Sequence, residues 1–117
     1  VKGKFKSKGK TKKEINQLMN DALLLQKNGV FAIVLECVKT PIAKQITKDL
    51  KIPTIGIGSS VHCDGQVLVT DDLIGLNQTS IKFVKKFINV KKYINKGLRK
   101  FTSEVRSKKY PTKKYSY

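Results

Sequence analysis

At 117 residues the chain has the length of one small domain or of a piece of a larger one. Hydrophobic residues make up 39%, too many for a disordered chain, while no apolar run is long enough to cross a bilayer and no segment resembles a signal peptide. The formal net charge of +17 raises nucleic acid or an acidic surface as partners, so its distribution has to be read before its meaning.

Residues 1–13 hold seven lysines and no acid, whereas residues 14–81 set five lysines against seven acids; the remaining excess lies in residues 82–117. The basic charge is therefore at the two ends. Only Arg99 and Arg106 of the 25 basic residues are arginine, the side chain best suited to bidentate phosphate and base recognition. Nucleic acid is accordingly not the expected partner, and the lysines are read as solvated faces. Cys37 and Cys63 form neither a disulfide framework nor a zinc pattern and suit a reducing compartment, so the expected location is the cytoplasm, with no membrane association. The first residue is Val1 rather than methionine, which fits a fragment or a processed product.

In chain order, V-K-G-K-F-K-S-K-G-K is a basic loop by its glycines and uncompensated charge, with Phe5 its one apolar residue after Val1. Thr11-x-x-Glu14 is a capping box, and Ile15, Leu18, Met19, Ala22 and Leu23 follow at helical spacing until Asn28-Gly29 stops the helix. Val30 to Leu35 is an unbroken run of strand formers, the pattern of a parallel strand covered on both faces. Thr40-Pro41 is expected to open a second helix, the Thr40 hydroxyl capping its free N–H groups and Pro41 at the first helical position, with an apolar face of Ile42, Ala43, Ile46 and Leu50. Ile52 to Gly58 returns as a second buried strand, Gln66 to Val69 as a third, and Leu73 to Leu76 as a short turn or helix ended near Gly75. Ser80 is positioned to cap a helix carrying Ile81, Val84, Phe87 and Ile88. Val90, Tyr93, Ile94, Leu98, Phe101 and Val105 mark a last amphipathic helix, and the tail beyond Pro111 is expected to fray. Short parallel strands with a right-handed crossover are neither a complete doubly wound sheet nor a closed barrel; they fit the last three strands of one.

Four constellations bear on chemistry. Gly56-Ile57-Gly58-Ser59-Ser60-Val61 begins like a dinucleotide fingerprint but lacks its third glycine and a convincing following helix. His62, Cys63 and Asp64 are metal-ligand types, yet three consecutive residues cannot all face one tetrahedral ion. Asp71 and Asp72 suit either a cation or the capping of the next turn. Glu36 is the unusual residue: a carboxylate set between apolar Leu35 and Cys37 where a buried strand emerges is expensive unless it has work to do. Burial there would raise its pKa toward neutrality and suit it to accept protons, with a buried ion pair as the alternative.

The segments D-A-L-L-L-Q-K-N-G-V-F-A-I-V-L-E-C-V, I-A-K-Q-I-T-K-D-L-K-I-P-T-I-G-I-G and C-D-G-Q-V-L-V-T-D-D-L-I-G-L closely resemble ketopantoate hydroxymethyltransferase, also called 3-methyl-2-oxobutanoate hydroxymethyltransferase. The match continues through I-K-F-V-K-K-F and E-V-R-S to Pro111 in one register. The resemblance implies an α/β fold, the C-terminal half of a single (βα)8 TIM barrel domain, with residues 1–10 a basic loop, 11–88 the strand–helix core and 89–117 the C-terminal helix and basic tail. It implies Glu36 as proton acceptor, with 3-methyl-2-oxobutanoate as substrate and 5,10-methylenetetrahydrofolate as co-substrate, and homo-oligomers in the full-length family. It also implies a magnesium ion (Mg2+) held by carboxylates on early strands that would precede Val1, so no metal ligand and no folate-binding residue is assigned in this chain, and the stretch alone is expected to be inactive. The alternative functions are a lysine-rich, non-catalytic module binding nucleic acid or an acidic partner through its two ends, and an inactive remnant of the enzyme. Ser59-Ser60 stands where the family usually has Ala-Gly, and serine at a glycine position is expected to strain or alter the turn.

Overall fold

The computed structural model describes residues 5–78 and 80–117; the first four residues of the basic opening, and Thr79, lie outside them. Helix α1 spans Lys12–Lys27, strand β1 Ile33–Glu36, helix α2 Thr40–Asp49, strand β2 Thr54–Ile57 and strand β3 Gly65–Gln66. A one-turn helix α3 at Thr70–Leu73, the long helix α4 at Val90–Arg106 and a 3-10 turn at Lys113–Tyr115 complete the order. The chain forms two compact units, residues 5–69 with 80–84 and residues 70–78 with 85–117.

In the first unit the three strands form a parallel sheet in the order β1-β2-β3, with Ile33 opposite Thr54, Glu36 opposite Ile57 and Ile55 opposite Gly65. The α/β architecture with a small parallel sheet matches the expectation from sequence, and α2 is the crossover between β1 and β2. Helix α1 begins as its capping box requires: Thr11 Oγ1 accepts the Glu14 N–H at 3.2 Å, and Glu14 Oε2 accepts the N–H groups of Gly9 and Lys10 at 3.0 and 2.7 Å. The Lys10 N–H, before other causes, holds the Glu14 carboxyl below the ordinary carboxylate range. Helix α2 carries proline in its first turn, where no donor is lost, but the expected Thr40 cap is corrected: the N-cap is Lys39 with no side-chain cap bond, and Thr40, already in the helix, donates its hydroxyl to Ser59 O at 3.4 Å.

The core lies on one face of the sheet. Ala22, Ile33, Leu35, Val38, Ala43, Ile46, Leu50 and Cys63 are buried together, with Leu18, Met19, Val30, Ile42 and Ile52 packed against them. The apolar face read for α2 is thus the packed one; in α1, Leu23 instead faces outward. Gln26 Oε1 accepts the N–H groups of Lys51 and Ile52 at 2.6 and 3.3 Å, tying the end of α1 to the segment entering β2.

Three further expectations are corrected. The third strand is Gly65–Gln66, not Gln66 to Val69. Val67 N–H still reaches Gly56 O at 3.0 Å, but β2 ends at Ile57 and the chain turns at Gly58, φ +60°, so residues 68 and 69 have no ladder to join. Residues 80–88 contain no helix. Phe83 packs edge-on against Phe5 at 5.5 Å within the first unit, while the Phe87 backbone N–H bonds Leu73 O at 2.9 Å within the second, and the Phe87 side chain is exposed. The tail also has local order, since Tyr110 packs against Phe101 at 5.6 Å between ring centres and against Tyr115 at 6.2 Å.

In the second unit α4 begins with the Asn89 side chain accepting the Lys92 N–H at 3.1 Å. Gly75, at φ +75°, could hold no side chain, because a Cβ would stand 2.5 Å from Ile88 O. No helix among the described residues is long and apolar enough to cross a membrane.

Candidate active site

Ligands of parallel sheets bind beyond the carboxyl ends of the strands, and Glu36 is the last residue of β1. Alternation along β1 places Ile33 and Leu35 in the core and Val34 and Glu36 on the opposite face, which they share with Ile55 and Ile57 of β2 by register. Val34 is 60% exposed, and Glu36 is exposed as well. This corrects the burial expected for Glu36: its apolar neighbours in sequence point away from it, so they do not surround it. Nor does it form the alternative buried ion pair, since no described residue pairs with it.

Beside Glu36 the chain bends at Cys37, which takes φ +55°. Burial pushes the Cys37 thiol above its ordinary range and the Glu36 charge pushes the same way, so this is not an activated thiolate. The rim is completed by the Lys8–Val38 bridge and by Ser59, whose hydroxyl donates to Val38 O at 3.0 Å. Ser59 and Ser60 relieve the concern about strain: neither is among the positive-φ residues, and each has a use. Ser60 is 3% exposed, its hydroxyl accepts the His62 N–H at 3.2 Å and its carbonyl accepts Gln66 Nε2–H at 2.7 Å. The turn itself is made by Gly58, where a Cβ would meet the Phe83 ring at 2.5 Å.

The remaining constellations do not converge. After Gly58 the chain turns through residues 59–64 into β3 without a helix, so no dinucleotide cradle forms. Cys63 is buried in the core, His62 is exposed, and Asp64 turns to Thr54, accepting its N–H at 2.8 Å and its hydroxyl at 3.1 Å. The Thr54 N–H, then its hydroxyl, hold the Asp64 carboxyl below the ordinary range. Asp72 is buried at 6% exposure and accepts Asn77 Nδ2–H at 2.8 Å, consistent with a role in ordering the turn after α3. Among the described residues no three His, Cys, Asp or Glu side chains gather as a metal cage, so they do not fit a resident magnesium site.

Sequence reasoning missed the Thr47–Thr54–Asp64 network, in which Thr54 is fully buried and its hydroxyl lies 2.8 Å from that of Thr47. The available signal was a lone threonine opening the apolar run T-I-G-I, a polar group that burial obliges to find partners.

Residues 1–113 match the family model described as ketopantoate hydroxymethyltransferase. The 3-methyl-2-oxobutanoate hydroxymethyltransferase of Pelagibacter ubique (strain HTCC1062) is 58% identical over 113 residues, covering 97% of this chain and 44% of the relative. Namesakes from Pyrobaculum arsenaticum and Saccharolobus islandicus (strain L.S.2.15 / Lassen #1) are 42% and 43% identical over the same 97% of this chain and cover 43% and 42% of their own lengths. The chain thus spans less than half the length of the curated relatives it matches. On that match, which extends over nearly all of it, the chain belongs to the ketopantoate hydroxymethyltransferase family.

Proposed function

We propose that the whole protein containing this chain transfers a hydroxymethyl unit to 3-methyl-2-oxobutanoate, giving ketopantoate on the route to pantothenate, with Glu36 as the proton acceptor. The sheet described here would be the last three strands of a (βα)8 barrel, with Val34, Glu36, Ile55 and Ile57 facing its interior and α1 and α2 outside it. The observation that carries the reading is the position of Glu36: a carboxylate at the carboxyl end of a parallel strand, on the open face, unengaged by any described partner.

In this reading the C3–H bond of the keto acid breaks, its proton passing to a Glu36 oxygen and its electron pair forming the C2=C3 bond of an enolate. Water takes the methylene carbon from 5,10-methylenetetrahydrofolate by breaking both of its carbon–nitrogen bonds, each electron pair staying on its nitrogen with one of the water protons. C3 then bonds to that carbon at the aldehyde level, and its C=O electron pair becomes the new hydroxyl with the proton held by Glu36. A divalent cation, if bound, would polarise the 2-oxo group and so acidify the C3 hydrogen that Glu36 takes; it would be held by residues outside this chain.

Glu36→Gln keeps the shape of the side chain and removes its basic oxygen pair. In the full-length protein it is expected to slow exchange of the C3 hydrogen of 3-methyl-2-oxobutanoate with deuterated water by about 100- to 10,000-fold, with keto-acid affinity little changed. Exchange at the parent rate would remove Glu36 from the role.

A further inference from the structure

Strand β1 does not run straight on past Glu36. In continued alternation Val38 would share the open face of Val34 and Glu36. Instead Val38 is 4% exposed in the core, with Ile33 and Leu35. The switch is made at Cys37, whose φ of +55° lies in the left-handed region that residues with a Cβ rarely adopt.

This conformation is held from both sides. Cys37 N–H donates to Ile57 O at 3.0 Å, and Cys37 O accepts the Lys8 N–H at 2.8 Å. Lys39 N–H donates to Lys8 O at 3.0 Å, so residues 37–39 are paired to the loop of residues 5–10. On the β2 side, the Ser59 hydroxyl donates to Val38 O at 3.0 Å and the Thr40 hydroxyl to Ser59 O at 3.4 Å. Backbone strain persists only where surrounding contacts over-determine it, and here they fix a residue adjacent to the candidate base.

We propose that the left-handed backbone at Cys37 is the positioning device for Glu36: it ends the open face at that carboxylate and clamps the peptide behind it between β2 and the loop of residues 5–10. The proposal rests on the reading of Glu36 as proton acceptor. Cys37 contributes its conformation and not its thiol.

The test measures exchange of the C3 hydrogen of 3-methyl-2-oxobutanoate in the full-length protein carrying this segment, for Cys37→Gly, Cys37→Asn, Cys37→Ala and Cys37→Val, with Glu36→Gln alongside. Glycine and asparagine accept a left-handed conformation, alanine meets the same penalty as cysteine, and valine, branched at Cβ, opposes it. The first three are expected to stay within about threefold of the parent, and valine to lose about tenfold to a hundredfold in kcat with KM for the keto acid held within about twofold. Lys8→Pro deletes the N–H donor to Cys37 O from outside the sheet, so it tests the clamp even if the valine variant does not fold; a loss of about tenfold is expected in a protein that still melts cooperatively. Loss in Cys37→Ala equal to that in Cys37→Val would overturn the proposal in favour of the thiol. Parent rates in Cys37→Val or in Lys8→Pro, with Glu36→Gln slow, would overturn the positioning role alone. A parent rate in Glu36→Gln would overturn the base assignment and the positioning role together.

Discussion

Thr54 Oγ1 and Asp64 Oδ2 lie 3.1 Å apart, and the same carboxylate oxygen accepts the Thr54 N–H at 2.8 Å, so the loop that leaves the end of β2 is tied back to its beginning. The seven residues from Gly58 to Asp64 join two parallel strands without a crossover helix, and this tie fixes where the chain re-enters as β3. Thr54→Val removes the hydroxyl that bonds both Asp64 and Thr47 while keeping the side chain's size. It is expected to destabilise the fold by about 1–3 kcal/mol, measured by urea denaturation, because two partners lose a hydrogen bond in a part-buried setting.

The same tie gives an acid-side signature. The Asp64 carboxyl is held below its unfolded value of about 3.9, so its contribution to stability is complete above that pH and is lost as pH falls through the lower folded value. The parent should lose stability across this window more steeply than Asp64→Asn, and at neutral pH the asparagine variant should be the less stable. Thermal melts between neutral pH and strong acid would check it; parallel curves would assign the acid sensitivity to other carboxylates.

Gly58→Ala meets two separate penalties. The φ of +60° disfavours any Cβ by about 1–2 kcal/mol, and the added methyl would overlap the Phe83 ring. Pairing it with Phe83→Ala should relieve the overlap and leave the conformational penalty. Cooperative rescue in a double-mutant cycle by denaturant titration is therefore expected to be partial, and complete rescue would mean that the turn itself carries no strain.

The open face of β1 governs the behaviour of the 117-residue chain by itself. Val34 is 60% exposed on a face with Ile55 and Ile57, an apolar sheet surface that seeks cover. Sedimentation of the isolated chain should show self-association that grows with concentration and is reduced by Val34→Lys. A monodisperse monomer with a sharp melt would show that this face is stable uncovered.

The lysine excess predicts salt-labile contacts only. Binding to duplex DNA should be weak, indifferent to sequence, and lost between about 50 and 200 mM salt, because it would rest on lysine–phosphate contacts. Fluorescence anisotropy with two unrelated duplexes is sufficient, and sequence-selective binding that survives high salt would call for a separate nucleic-acid site.

Local signals determined much of this protein without any tertiary structure. The Thr11–Glu14 box starts α1, the proline of Thr40-Pro41 lies in the first turn of α2, and the spacing of Ile42, Ala43, Ile46 and Leu50 selects the packed face, because these signals act within a few residues; the Thr40 hydroxyl was instead drawn to Ser59 O by the tertiary structure. Glu36 was conspicuous for a similar reason, as a charge in an apolar run. Its exposure was not legible, since alternation within a four-residue strand assigns sides only once the sheet has a core face and an open face. The irregular path of residues 80–88 was decided by Phe83 docking on Gly58, a contact across 25 positions that overrides a helical pattern. The left-handed Cys37 and the Thr54–Asp64 tie belong to the same class: each depends on partners that only folding brings together, Lys8 and Ile57 in one case and opposite ends of β2 and its loop in the other.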